Sequence, residues 1–347
     1  MTPRAFARLI NRLLGAIGAI GLLSAAANAS DANEERLKKL REAIGEFQQR
    51  DQRLQTVGWQ LVRGNAEFCD TVIPSIGLQL QDMASYGRPD LVKTALGLDT
   101  AFAVHTTARG SPAGKDVSFS RNRGVARMGD VDPNAWASAR AGSWQRLTRA
   151  HNWIDQALGE SGAITFTFAN SDQSTLEPVP VCATRFEVAS HSTRAASEGA
   201  RVVIGEAFPA FKWEEEDEFA GVVAHELAHN LLGHRAWLDR EGRKRRTIRL
   251  TEREADRLMP WLMANAGYDP RAAYRFMVRW GKKYDRGLFR KRTHDGWDER
   301  AEFIAAELPL IAELMEREGK ADWSVHFRRE ITPDSETSPS SDMAQSD

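Results

Sequence analysis

Between residues 31 and 61, apolar side chains recur on alternating three- and four-residue steps: Leu37, Leu40, Ile44, Phe47, Leu54 and Leu61. Asp51 and Gly58 occupy the two steps that break the series. That spacing predicts one long helix with a narrow apolar seam and charged flanks. Packing along the main body of the protein and a coiled-coil dimer both fit such a seam, though its two defects weaken the dimer. Residues 70–142 change character. Gly, Asp, Ser and Pro are frequent, and apolar runs such as Ala101-Phe102-Ala103-Val104 are short. Gly110-Ser111-Pro112 and Met128-Gly129-Asp130 punctuate them. This predicts a small β-rich module. Leu147, His151, Ile154 and Leu158 share one face of a predicted helix over 144–158. Ile164, Phe166 and Phe168 alternate with threonines, as in a strand with one buried face. Arg185-Phe186-Glu187-Val188 and Arg201-Val202-Val203-Ile204 are further strand candidates. Residues 217–319 read as helices with short breaks, and the Ser/Pro/Asp-rich tail 332–347 as disordered. The expected fold class is α+β.

The first 29 residues stand apart from this pattern. Arg4, Arg8 and Arg12 form a basic start, residues 13–27 are rich in Leu, Ile, Ala and Gly, and Ala27-Asn28-Ala29 is an A-x-A cleavage signal. Together they read as a secretory signal peptide cut before Ser30. The alternative is an uncleaved membrane anchor, for which the stretch is short and Gly-rich. The 347-residue length favours two folded units. Lys+Arg is 47 against 48 Asp+Glu, a net charge of −1, which argues against a strongly basic nucleic-acid binder. With 42% hydrophobic residues the chain is not disordered throughout. Cys69 and Cys182 are the two cysteines. In an exported protein such a pair can form a disulfide between the helical region and the strand region; two buried free thiols are the alternative.

The chemistry concentrates in Ala224-His225-Glu226-Leu227-Ala228-His229, an H-E-x-x-H pattern inside an apolar-periodic stretch with Phe219, Val222, Val223, Leu227 and Leu231. Four residues advance a helix by about 400°, so His225 and His229 project from one face, one turn apart. Two imidazoles so placed can bind one zinc ion, and Glu226 is then positioned as a general base. Two surface histidines on a core helix are the plain alternative. A third ligand is needed. His234 is rejected: it follows His229 by five residues, and Gly233 should end the helix, leaving His234 as a surface or capping residue. Glu252-Arg253-Glu254-Ala255-Asp256 is preferred. Glu252 and Asp256 lie one turn apart on one face of a second helix. Glu252 completes a His₂Glu set with an open fourth position, and Asp256 orients a ligand imidazole through its free N–H. Glu254 points about 200° away from Glu252 and is expected to be solvated. A charged helix face without a metal is the alternative.

These residues give the chain a resemblance to the minigluzincin zinc metallopeptidases, the family of HtpX and the CAAX prenyl proteases, and most of all to its soluble periplasmic, BepA-like branch. The likeness is carried by Asp217-Glu218-Phe219-Ala220, His225 through Asn230, Glu252 through Arg257, Ala266-Gly267-Tyr268-Asp269-Pro270, Thr293-His294 and Arg300. It spans about residues 160–312. It implies one Zn²⁺ per chain held by His225, His229 and Glu252, with Glu226 as catalytic acid/base and Asp256 in support. It also implies a zincin-type domain, a small sheet plus active-site helices, over residues 143–319. A weaker upstream likeness, at Asn65 through Cys69, Gly77 through Tyr86, Gly110 through Ala113 and Gly129-Asp130, implies a PDZ-like module over 70–142 behind an N-terminal helix at 30–69.

The resemblance further implies an endopeptidase of the periplasm of a Gram-negative bacterium, acting on misfolded or unassembled envelope proteins. Its partners would be polypeptide substrates, without nucleic acid, and with peripheral contact to the envelope membrane or its protein machinery. A periplasmic chaperone or assembly factor with a latent zinc site is the alternative. Asp295 stands where the family usually has Pro after Thr-His, and Leu258-Met259-Pro260 where a Gly often follows. His294 is a candidate removable fourth ligand or transition-state donor, or an ordinary loop histidine. Arg300 either stabilises an oxyanion or pairs with a structural carboxylate, the second being preferred. The strand at Arg201 is expected at the edge of the sheet, lining the cleft.

Overall fold

The computed structural model describes residues 21–137, 140–284 and 295–331. The expected disordered tail and most of the expected signal peptide lie outside them. The chain is mixed α+β with small sheets. Helix α1 (Gly21–Gly64) is followed by β1 (Val72–Ser75), β2 (Leu78–Asp82), α2 (Pro89–Leu96), β3 (Phe102–Thr107), the single turn α3 (Pro112–Lys115), β4 (Val125–Met128) and α4 (Gln145–Ser161). Six strands come next: β5 (Ile164–Phe168), β6 (Gln173–Leu176), β7 (Val179–Cys182), β8 (Arg185–Ala189), β9 (Ala195–Ser197) and β10 (Arg201–Gly205). Helices close the chain: α5 (Glu216–Leu231), α6 (His234–Glu241), α7 (Arg245–Asn265), α8 (Arg271–Tyr284), α9 (Trp297–Glu318) and α10 (Trp323–His326). No helix among the described residues is long and apolar enough to cross a membrane.

The apolar seam of α1 is used inside the chain. Leu54, Val57, Leu61 and Val62 join the large core built by α5, α7, α8 and α9, while Ile44 packs with Met83, Val92, Leu98 and Ala103. Both seam defects have a partner. Asp51 lies 3.2 Å from His105 Nε2, and the Gln55 amide joins it to the Phe186 carbonyl. Gly58 lets α1 lie directly on β8, since a Cβ there would overlap the Phe186 ring.

A second core gathers Leu78, Leu80, Phe102, Val104, Val125, Met128, Ala150, Ile154, Leu158, Phe166 and Phe168. Strands β2 and β3 pair antiparallel, as do β4, β5 and β6, and an Ala103–Gly124 bridge links the two groups. The packing does not break at residue 142. Helix α4 and strands β5 and β6 cover the β-rich module, because the Ala150-Ile154-Leu158 stripe faces its apolar interior. Conversely β1 pairs with β7 in register Val72↔Cys182 and belongs with the large core. Cys69 and Cys182 are disulfide-bonded there, with Cα atoms 5.6 Å apart.

In the three-stranded sheet the order is β8-β10-β9. Strand β10, expected at the edge, is central: Val202 and Ile204 are fully buried, parallel β8 lies on one side and antiparallel β9 on the other. The edge facing α5 is β9, a short strand of small residues without the β-branched pattern that marks strands in sequence.

Candidate metal centre

Helix α5 begins with Glu216, Asp217 and Glu218, negative charge at the positive end of its dipole. Arg53 of α1 binds Glu216 at 2.7 Å and lies over the Phe219 ring. Asp217 accepts the backbone N–H of Asp269, so the Ala266-to-Pro270 turn hooks onto the start of the helix. From Phe219 to His225 every residue is buried, and so are Leu227 and Ala228. From Phe219 onward the helix is therefore fixed on nearly all sides.

His225 and His229 face one another one turn apart, with Nε2 atoms 3.3 Å apart. Glu252 arrives from α7, with Oε2 at 3.5 Å from His225 Nε2 and Oε1 at 3.6 Å from His229 Nε2. The three side chains are only 10%, 12% and 18% exposed. Zinc bonds of about 2.0–2.1 Å in tetrahedral geometry give ligand–ligand edges of about 3.3–3.4 Å. The observed distances, the two from Glu252 running from its different oxygens, are close to that edge length, and the three residues can each offer one ligand atom to a single ion. Two imidazoles and one carboxylate also suit zinc better than the oxygen-seeking ions.

Each imidazole is held from behind. His225 Nδ1 lies 3.0 Å from Asp256 Oδ1, and Asp256, with no exposed side-chain surface, receives two N–H bonds from Arg300 at 2.6 and 2.8 Å. Arg300 thus pairs with a structural carboxylate and stays 3.8 Å from Glu252. Helix α7 runs through Pro260 unbroken; that proline has no N–H for the carbonyl of Asp256, one turn earlier.

Behind His229 the structure departs from expectation. His234 is buried, 1% exposed, rather than a surface or capping residue. Gly233, at φ +65°, turns the chain so that α6 starts with the His234 side chain pointing back. Its Nδ1 lies 3.0 Å from His229 Nδ1 and its Nε2 3.0 Å from Glu254 Oε2. Glu254, expected in solvent, is fully buried. The C-terminal segment covers that face of α7, and the backbone N–H groups of Glu330 and Ile331 bond Glu254 Oε1 at 2.6 and 2.7 Å. The sequence signals were faint: a Gly-His turn after the motif, and a glutamate leading into a buried run from Leu258 to Ala264.

The titrations follow from these contacts. Burial favours a neutral His225, yet the Asp256 and Glu252 carboxylates prevail and raise it to about 10. His229 is lowered to about 3 by burial, which Glu252 only partly opposes. Burial also lowers His234. For Glu254, burial is outweighed by bonds from His234, Arg329 and Ile331, and the carboxyl falls to about 2. Glu226 rises to about 7 because it is buried; the His225 charge and a bond from the Ser197 backbone N–H oppose the rise.

Ser197 belongs to β9, and that hairpin is fastened to α5 a second time. Asn230 Oδ1 accepts the Gly199 N–H at 2.9 Å and the Ser197 hydroxyl. The edge strand is thereby fixed beside Glu226 and His229. Asp295 bonds Arg253 of α7 at 2.9 Å, and His294, the candidate fourth ligand, lies outside the described residues. The chain matches no family model, no curated protein and no solved structure.

Proposed function

We propose that the chain is a zinc-dependent endopeptidase. The observation that carries this reading is the cluster of His225, His229 and Glu252, whose candidate ligand atoms all lie within 4.8 Å of one another, with Glu226 adjacent on the same helix. When bound there, zinc would supply Lewis-acid polarisation of a carbonyl and acidify a water molecule. The protein's own groups account for the rest. Asp256 and His234 fix the two imidazoles with their Nε2 atoms inward. Glu226, next to His225 on the same helix and buried beside the donors, takes a proton from the attacking water and returns it to the leaving amine. The β9 edge pairs with no strand but β10 among the described residues, and an extended polypeptide laid alongside it as an added strand would compete for the Ser197 N–H that bonds Glu226.

The catalytic half of the chain accordingly reads as zincin-like, and the β-rich module over 70–142, with α4, β5 and β6 packed on its core, as PDZ-like. Peptide capture by that module has less support, because the Leu80 N–H of β2 is already bonded to His151 Nε2. Substrates are misfolded or unassembled envelope proteins, on the strength of the family resemblance and the expected export signal. The test is cleavage of an unfolded polypeptide such as casein by the zinc-loaded chain, with and without a chelator. Chelator-sensitive cleavage supports an enzyme. Zinc binding without cleavage favours the chaperone reading with a latent site.

A further inference from the structure

Both metal-facing imidazoles end on a carboxylate of α7, but by different routes. His225 reaches Asp256 directly, and Asp256 is anchored by Arg300 of α9. His229 reaches Glu254 through His234. Glu254 is anchored by residues 327–331, a strap after α10: Arg329 bonds it at 2.9 Å, beside the backbone N–H groups of Glu330 and Ile331. The strap is itself fixed. Phe327 and Ile331 are buried, Glu330 pairs with Arg253 and Arg257, and Arg329 also bonds the carbonyl of Leu232 at the end of α5.

The proton positions in this chain are determined. A metal at His229 Nε2 requires the ring proton on Nδ1, which then donates to His234 Nδ1. His234 carries its own proton on Nε2 and donates it to Glu254. Every link is a donor meeting an acceptor, and the chain ends on a carboxylate with no exposed surface. If Glu254 were released from the strap, His234 would lose the partner that fixes its tautomer and ring plane, and His229 would lose its acceptor.

We propose that His234 and Glu254 are positioning residues for His229, and that the strap at residues 327–331 governs how firmly that imidazole holds a metal ion. The proposal rests on the reading of His225, His229 and Glu252 as a metal site. Partners of this kind change metal affinity by about 10–100-fold when removed.

The test compares zinc affinity, by competition with a fluorescent chelator, for the full chain and for Glu254→Gln, His234→Phe and Arg329→Met. Melting of each metal-free protein is recorded alongside. Arg329→Met changes a side chain that is 25% exposed and keeps the variant set usable if a buried substitution does not fold. The expected result is wild-type binding of one zinc per chain, weakened about 10–100-fold in folded variants. A purely structural role would lower melting and leave the affinity of the folded protein unchanged. Folded variants that bind zinc as tightly as wild type overturn the proposal and leave the metal site standing. A wild-type chain that binds no zinc overturns the metal site, and the proposal with it.

Discussion

Replacing Arg300 by Met separates the two roles considered for that residue. Its guanidinium bonds both oxygens of Asp256, whose side chain has no exposed surface. Removing one partner of a buried pair costs about 3–5 kcal/mol, because the remaining charge keeps its desolvation penalty. Asp256 retains His225 Nδ1 at 3.0 Å, so the lower end of that range is expected, about 3 kcal/mol. For a domain of this size that is about 6–12 °C in melting temperature. The assay is thermal and urea unfolding of the metal-free protein, for Arg300→Met, Asp256→Asn and the double variant. The Asp256–Arg300 pair should show in the cycle as a coupling of about 1–3 kcal/mol, the double variant losing less than the two single losses added. Additive losses, or no loss in Arg300→Met, would refute the structural assignment and return Arg300 to the oxyanion role.

Breaking the Cys69–Cys182 bond opens a link between residues 113 apart, worth about 2–5 kcal/mol by chain-entropy reasoning; reductant should lower the melting temperature, and Cys69→Ser/Cys182→Ser should match the reduced protein. Gly58→Ala would gain about 1 kcal/mol of helix propensity in open space. Here the new methyl overlaps Phe186, overpacking costs about 1–3 kcal/mol, and a net loss is expected in urea unfolding. Zinc uptake should be pH-dependent. With its pKa raised to about 10, His225 is protonated below that pH in the metal-free protein, and zinc must displace the proton. Affinity should therefore rise by about tenfold per pH unit between pH 7 and 9, and Asp256→Asn should flatten that slope in chelator competition.

Periodicity reached the centre of the site and stopped at its rim. His225, Glu226 and His229 share a helix, and Glu252 and Asp256 share another, so local spacing alone places each set on one face. Which way α7 turned its other face was not a local matter. Glu254 lies on the side that periodicity gives to solvent, and it is buried by a segment more than seventy residues downstream. His234 departs from expectation for a related reason: Gly233 does end the helix, but its left-handed turn sends the His234 side chain back toward His229 instead of leaving it at the surface. The Ile164, Arg185 and Arg201 strands were readable from their apolar alternation. The pairing order was not, since β9 is made of Ala and Ser and only its partner β10 carries a strand pattern. Helix α4 showed its buried stripe clearly, but nothing in a stripe says which of two cores it will cover.

The most direct measurement determines zinc content and casein cleavage side by side for the wild-type chain and Glu226→Gln. Glu226 is not one of the three candidate donors, so the variant should keep one zinc per chain. The expected outcome is equal zinc in both proteins and cleavage by the wild type alone. Equal cleavage by both, or wild-type protein that cleaves without zinc, would contradict a metal-dependent mechanism with Glu226 as its base.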